Sequence, residues 1–117
     1  MLPREVREEF GIGLDRLGHV IRVRFVRVAK TVGDFVVQYE VLVDGQYRQV
    51  VRYEGSHGHP YRDILDWDGN TIAKRWAPPG TTNNQALTDA INDIIANSDR
   101  YFADFLKRRP WKRSKLK

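Results

Sequence analysis

Between His19 and Lys30 apolar and charged residues alternate, with Ile21, Val23 and Phe25 on one side and Arg22 and Arg24 on the other. That period of two predicts a strand with one buried face, and the phase change to Val26 and Val28 predicts a bulge near Phe25. Asp34 to Val43 repeats the pattern, with Phe35, Val37, Tyr39, Val41 and Val43 opposite Gln38 and Glu40. Asp44-Gly45 then suits a two-residue type I′ turn, whose central residues both need positive φ, and Gln46 to Glu54 returns as the partner strand. Asp68-Gly69 joins Tyr61–Trp67 to Asn70–Trp76 in the same way. Residues 3–10, begun by Pro3 and stopped by Gly11 and Gly13, read as a short helix.

After Pro78-Pro79-Gly80 the period becomes helical, with Leu87, Ile91, Ile94, Ile95, Ser98, Phe102, Phe105 and Leu106 spaced by three and four. Thr82 and Gln85 form a capping-box signature. A helix of roughly 25 residues would be about 38 Å long, more than the roughly 20–30 Å of these strands, so its last turns should overhang the sheet. The expected fold is α+β: an antiparallel β-meander of about five strands, packed on one face by a long C-terminal helix. Residues 1–106 form one domain and residues 107–117 a solvated basic tail.

With 117 residues the chain can bury about two-thirds of its unfolded surface in one core. It has no cysteine, which removes disulfides, thiolate zinc sites and cysteine nucleophiles. The first twenty residues lack a signal-peptide pattern and no stretch approaches a membrane span, so a cytoplasmic location without membrane contact is expected. The net charge of +5 is unevenly placed. Seven of the twenty basic residues (Lys107, Arg108, Arg109, Lys112, Arg113, Lys115 and Lys117) lie at the C-terminus; without them 13 basic face 15 acidic residues, a net −2. Arg108, Arg109, Lys112 and Arg113, with Trp111 available to stack on a base, are the candidate nucleic-acid contacts, set against an ordinary solvated end.

Candidate chemistry concentrates in Tyr53-Glu54-Gly55-Ser56-His57-Gly58-His59-Pro60-Tyr61-Arg62-Asp63, where two of the three histidines fall. A metal centre would need His19, Asp63 or Glu54 beside His57 and His59; no standard ligand spacing completes the set, so neither metal nor cofactor is expected. Metal-free RNA cleavage needs two groups titrating near neutrality and a cation on the phosphate. His57 and His59 supply the first, Arg52, Arg62 or Arg75 the second, and Tyr53 or Tyr61 a stacking or proton-transfer group. The bland alternative is a glycine-rich turn with locally bonded histidines. Arg22, Arg24, Arg48 and Arg52, with Gln38 and Glu40, are placed on the helix-free sheet face, which is solvated, a homodimer interface or an RNA platform.

The stretch VVRYEGSHGHPYRDILDWDG, residues 50–69, followed by the capped helix, resembles an uncharacterised bacterial domain family with a Tyr-acid-x-x-His-Gly pattern before an Arg-Asp-hydrophobic strand. It is more distantly similar to the TumE-type toxins of toxin-antitoxin systems, over residues 35–106, although those carry more histidines in the loop. The resemblance implies a toxin-like protein acting on RNA, as a ribonuclease or translation inhibitor, with a cognate antitoxin-like partner. The alternative is a non-enzymatic module that binds protein or nucleic acid.

Overall fold

The computed structural model describes residues 3–56 and 58–110. Six strands, β1 (Glu5–Gly13), β2 (His19–Val28), β3 (Thr31–Val43), β4 (Gln46–Glu54), β5 (Tyr61–Leu65) and β6 (Thr71–Trp76), form one antiparallel sheet in chain order. A single helix, α1 (Asn83–Lys107), lies across β3 and β4. The α+β meander under a C-terminal helix is as the alternation predicts, with one strand more. The addition is β1: residues read as a short helix instead pair with β2 from Glu5↔Val28 to Gly13↔Val20. Val6, Phe10 and Ile12 keep a period of two there, and pairing with a long neighbouring strand outweighs the helical propensity of Arg-Glu-Glu.

The bulge near Phe25 is present, between Phe25 and Arg27 in the β2–β3 register. A second shift in β3–β4 pairs Tyr39 with Val51 but Glu40 with Gln49, leaving Val50 as the extra residue. The inserted residue flips the facing of everything before it on β4. Arg48 is thereby moved from the helix-free face, where simple alternation put it, to the helix side. There its guanidinium lies 4.9 Å from the Trp67 ring centroid.

Asp44 and Gly45 both have positive φ, at 54° and 78°, as a type I′ turn demands. The Asp68-Gly69 connection is longer than predicted. Strand pairing ends at Leu65↔Thr71, only Gly69 takes positive φ, and Asp66 Oδ1 accepts from the amides of Asp68 and Asn70. The Asp66 carboxylate captures the loop amides, so a wider turn replaces the two-residue one. This turn carries Trp67 under the end of α1, where it stacks on Phe105 at 4.9 Å and donates its indole N–H to the Phe105 carbonyl. The last turn of α1 is therefore docked and does not overhang.

Thr82 caps α1 by accepting from the Gln85 amide at 3.1 Å. The Gln85 side chain turns forward to Asp89 at 2.9 Å, so the box is closed from one side only. The buried stripe runs through Ala86, Ala90, Ile94, Tyr101 and Phe105, with Leu87, Ile91 and Phe102 at its margin. Ile95, read as core, is 53% exposed, and Leu106 is also exposed. Two alanines in the N-terminal third of α1 let the helix approach Phe35 and the rest of the core, which rotates the stripe away from its bulkiest aliphatic residues.

Candidate functional site

Strand pleating decides which loop residues meet. Tyr53 pairs with Arg62 and Arg62 with Arg75, so these three share the helix side of the sheet. Arg52 pairs with Asp63 and Asp63 with Lys74, one position along, and the alternation turns these to the opposite face. Arg52 therefore does not share a cleft with Tyr53 and Arg62. Tyr53 and Arg62 come together; Arg52 lies behind them.

On the helix side Asp93 of α1 reaches into this row. Its Oδ2 accepts from the hydroxyls of both Tyr53 and Tyr101, and its Oδ1 from Asn97 Nδ2 at 2.8 Å. Arg62 Nη1 donates to the Tyr101 hydroxyl at 3.1 Å. Burial alone would raise the Asp93 carboxyl, but the bonds from Tyr101, Tyr53 and Asn97, with Arg62 nearby, outweigh it and hold the group below its ordinary value. Burial, reinforced by the same carboxylate, pushes both phenols up. Each member is thus fixed in one protonation state at neutral pH: an ionised acid between two neutral tyrosines.

This network is the floor of a cavity of about 220 Å³ between α1 and the β5–β6 half of the sheet. Ala86, Asp89 and Ala90 line its helix wall and Arg62 and Arg75 its sheet wall, while Pro60, Tyr61, Trp76 and Pro78 surround it at the end of the sheet. Arg75 makes no hydrogen bond or ion pair among the described residues, and Asp89 accepts only from Gln85, through Oδ1. At the rim Tyr61 and Trp76 meet at 5.2 Å, and Lys74 Nζ sits 3.5 Å from the centre of the Tyr61 ring. Trp76 is 58% exposed. Tyr61 also donates to Glu54, which with burial raises its phenol to about 12.

The opposite face carries a ladder of paired charges. Arg22 binds Glu40 at 2.8 Å, and Asp63 lies between Lys74 at 2.9 Å and Arg52 at 3.5 Å. Arg52 also reaches Glu54 and Gln49. Asp63, only 3% exposed, is covered by these long side chains. Its position between two cations accounts for Arg52, which is the counter-ion of a buried carboxylate.

His59 Nε2 donates to the Ala77 carbonyl, 2.7 Å away, because a carbonyl can only accept. The bond ties the β4–β5 loop to the end of β6. His57 lies outside the described residues. His19 is elsewhere, bonded through Nδ1 to the Tyr39 hydroxyl at 2.7 Å and set edge-on to Phe102 at 4.6 Å. Among the described residues no three histidine or carboxylate side chains converge as metal ligands. No helix among them is long and apolar enough to cross a membrane.

Arg108 and Arg109, assigned from the sequence to the tail, are packed on the body. Arg108 Nη2 donates to the Leu65 carbonyl at 3.3 Å; Arg109 pairs with Asp44 at 2.7 Å and its guanidinium lies 4.9 Å from the Trp67 ring centroid. Trp111, Lys112 and Arg113 lie outside the described residues.

Asp93, Tyr101, Asp89, Asn83 and Asn84 were not singled out in the sequence. Their signal was there in part: Asp89, Asp93 and Asn97 recur every four residues and so share one flank of α1. Asn83 donates to the carbonyls of Gly33 and Gly55, and Asn84 bonds both Lys30 and Val32. Together they clamp the β2–β3 turn and the start of the β4–β5 loop to the helix N-terminus. Gly55 has no room for a side chain there, because a Cβ would collide with the Phe35 ring and the Asn83 amide.

No curated protein and no solved structure matches the chain. A family model does, over residues 5–110, which takes in all six strands, the cleft and the docked end of the helix. The chain belongs to the family described as domain of unknown function DUF7718.

Proposed function

We propose that the chain is a non-enzymatic RNA-binding module, which takes one base of a single strand into the cleft between α1 and β5–β6. The observation that carries this is the size and lining of the cleft. Its volume of about 220 Å³ is below the roughly 300–1,000 Å³ of sites that enclose a whole drug-sized ligand. It suits one protruding group of a larger partner. Apolar walls from Phe35, Pro60, Pro78, Ala86 and Ala90 accept a flat ring, and the exposed Trp76 beside Tyr61 offers a stacking surface for a neighbouring base. Arg75, exposed on the sheet wall, brings a cation to the strand.

Binding is favoured over cleavage by the protonation states. The floor of the cleft holds an acid kept low and two phenols kept high, so none of these three exchanges a proton near pH 7. The His59 Nε2 proton is committed to the Ala77 carbonyl. A translation-inhibiting, toxin-like role remains within this reading; a ribonuclease role departs from it.

The test is fluorescence anisotropy with a labelled eight-nucleotide single-stranded RNA. Trp76→Ala should weaken binding about ten-fold, the scale of one lost stacking contact. Arg75→Ala should weaken binding and make it less dependent on salt. An affinity indifferent to salt, or no affinity, would sink the proposal. Shortening of the RNA by wild type and not by His59→Ala would establish the ribonuclease reading instead.

A further inference from the structure

Resting on the RNA reading above, we infer that the base taken by the cleft is guanine, held between the Asp89 carboxylate on the helix wall and Arg75 on the sheet wall. The cleft has two carboxylates, and they are not equivalent. Asp93 is spent: both of its oxygens accept from Tyr53, Tyr101 and Asn97, and it serves as floor. Asp89 has one oxygen on Gln85, and its Oδ2 has no partner among the described residues. The arginines divide in the same way. Arg62 is held by Tyr101, whereas Arg75, its register neighbour, is without a hydrogen-bond or ion-pair partner among the described residues. One acceptor group and one donor group are therefore left over, on opposite walls of the same cavity.

That pair discriminates among bases. Guanine alone offers two adjacent donors, N1–H and N2–H₂, on its pairing edge and two acceptors, O6 and N7, on the neighbouring edge. A carboxylate takes the donor pair with both oxygens, and a guanidinium takes O6 and N7 through its fork. Adenine has a single donor group flanked by acceptors, so Asp89 would face a lone pair. Cytosine offers one donor group, and uracil sets a carbonyl on each side of its single N–H. Either pyrimidine also leaves part of the cavity unfilled. A mismatched base forfeits the paired hydrogen bonds and sets the Asp89 carboxylate against a lone pair.

The experiment uses the full chain and labelled U8 RNA carrying at its centre a single G, A, C or inosine. The G strand should bind roughly ten-fold tighter than the A strand. Inosine, which keeps N1–H and lacks the N2 amine, should fall between them. Asp89→Asn should bring the G-to-A affinity ratio close to one; Asp89 is exposed, and folding is checked by circular dichroism. Equal affinity for all four strands, or a G preference that survives Asp89→Asn, would overturn the inference while leaving the RNA reading standing. If no strand binds at all, both fall, and the cleft passes to a side chain of a protein partner.

Discussion

Along one flank of α1, Leu87, Ile91 and Phe102 close over the core, and Phe102 meets His19 edge-on at 4.6 Å. Along the other, Asp89, Asp93 and Asn97 face the sheet row that carries Tyr53, Arg62 and Arg75. Both flanks belong to one helix laid across β3 and β4, yet the first ends in contact and the second ends in a cavity. The cause is side-chain size in the N-terminal third of the helix. Ala86 and Ala90 leave room on the Asp93 side, where β5 and β6 continue past the helix, and that room is floored with hydrogen bonds in place of apolar packing. A flank closed by packing serves stability; a flank closed only at its floor can do so and still hold a ligand.

The largest effect should come from breaking that floor. Asp93→Ala removes the acceptor of two partly buried tyrosine hydroxyls at once and should cost about 3 kcal/mol. Asp89→Ala, four residues away at the mouth, should stay within about 0.5 kcal/mol. Urea denaturation reads both as shifts in midpoint at constant m-value. Equal losses for the two would mean that floor and mouth are not distinct, and the division of labour between the acids would fail.

The apolar flank should respond less steeply. Phe102 is half-buried, so Phe102→Ala should cost about 1–2 kcal/mol, below the roughly 3–5 kcal/mol of a fully enclosed phenylalanine. The hydroxyl network of the other flank should be untouched, which proton NMR of the Tyr53 and Tyr101 hydroxyls would register. A disturbed network would show that the flanks communicate through the alanine ridge between them.

The sheet could be read from the chain because alternation is a local signal that β2, β3 and β4 repeat over several residues, and because Asp68-Gly69 marks the turn between β5 and β6. β1 escaped because Glu8-Glu9 interrupts the alternation and Pro3 imitates a helix start. Arg48 was misplaced by one inserted residue, Val50, which alternation alone does not announce. The cleft was legible only in halves. Tyr53 and Arg62 stood in the loop sequence that drew attention, but their partner Asp93 lies forty residues from Tyr53, on a helix flank whose spacing is that of any solvated face. Arg52 and Arg62 looked equivalent as phosphate clamps, and only strand pairing with Asp63 and Tyr53 sends them to opposite sides of the sheet.

The smallest predicted effect separates the two flanks by pH. Burial first, and the neighbouring Arg16 second, lower the pKa of His19, while Asp99 opposes them; Tyr39 and Phe102 are its other neighbours. Above the ordinary value of 6.5 the imidazole is neutral in both folded and unfolded chains and contributes no pH dependence. Below it the unfolded chain binds the proton first, so stability is lost as pH falls from 6.5 through the folded value. Asp93 obeys the same sign in a lower window. Its contribution is whole above 3.8 and is lost only as pH falls through its depressed folded value. Stability followed by urea titration from pH 7.5 downward should therefore begin to slope near 6.5 and steepen again below 3.8. His19→Gln should flatten the first step and leave the second, while Asp93→Asn should leave the first and reduce the second, which Asp66, held low by the amides of Asn70 and Asp68, shares. If the first step survives in His19→Gln, the protonation that weakens the packed flank belongs to another group, and His19 is a spectator at the edge of Phe102.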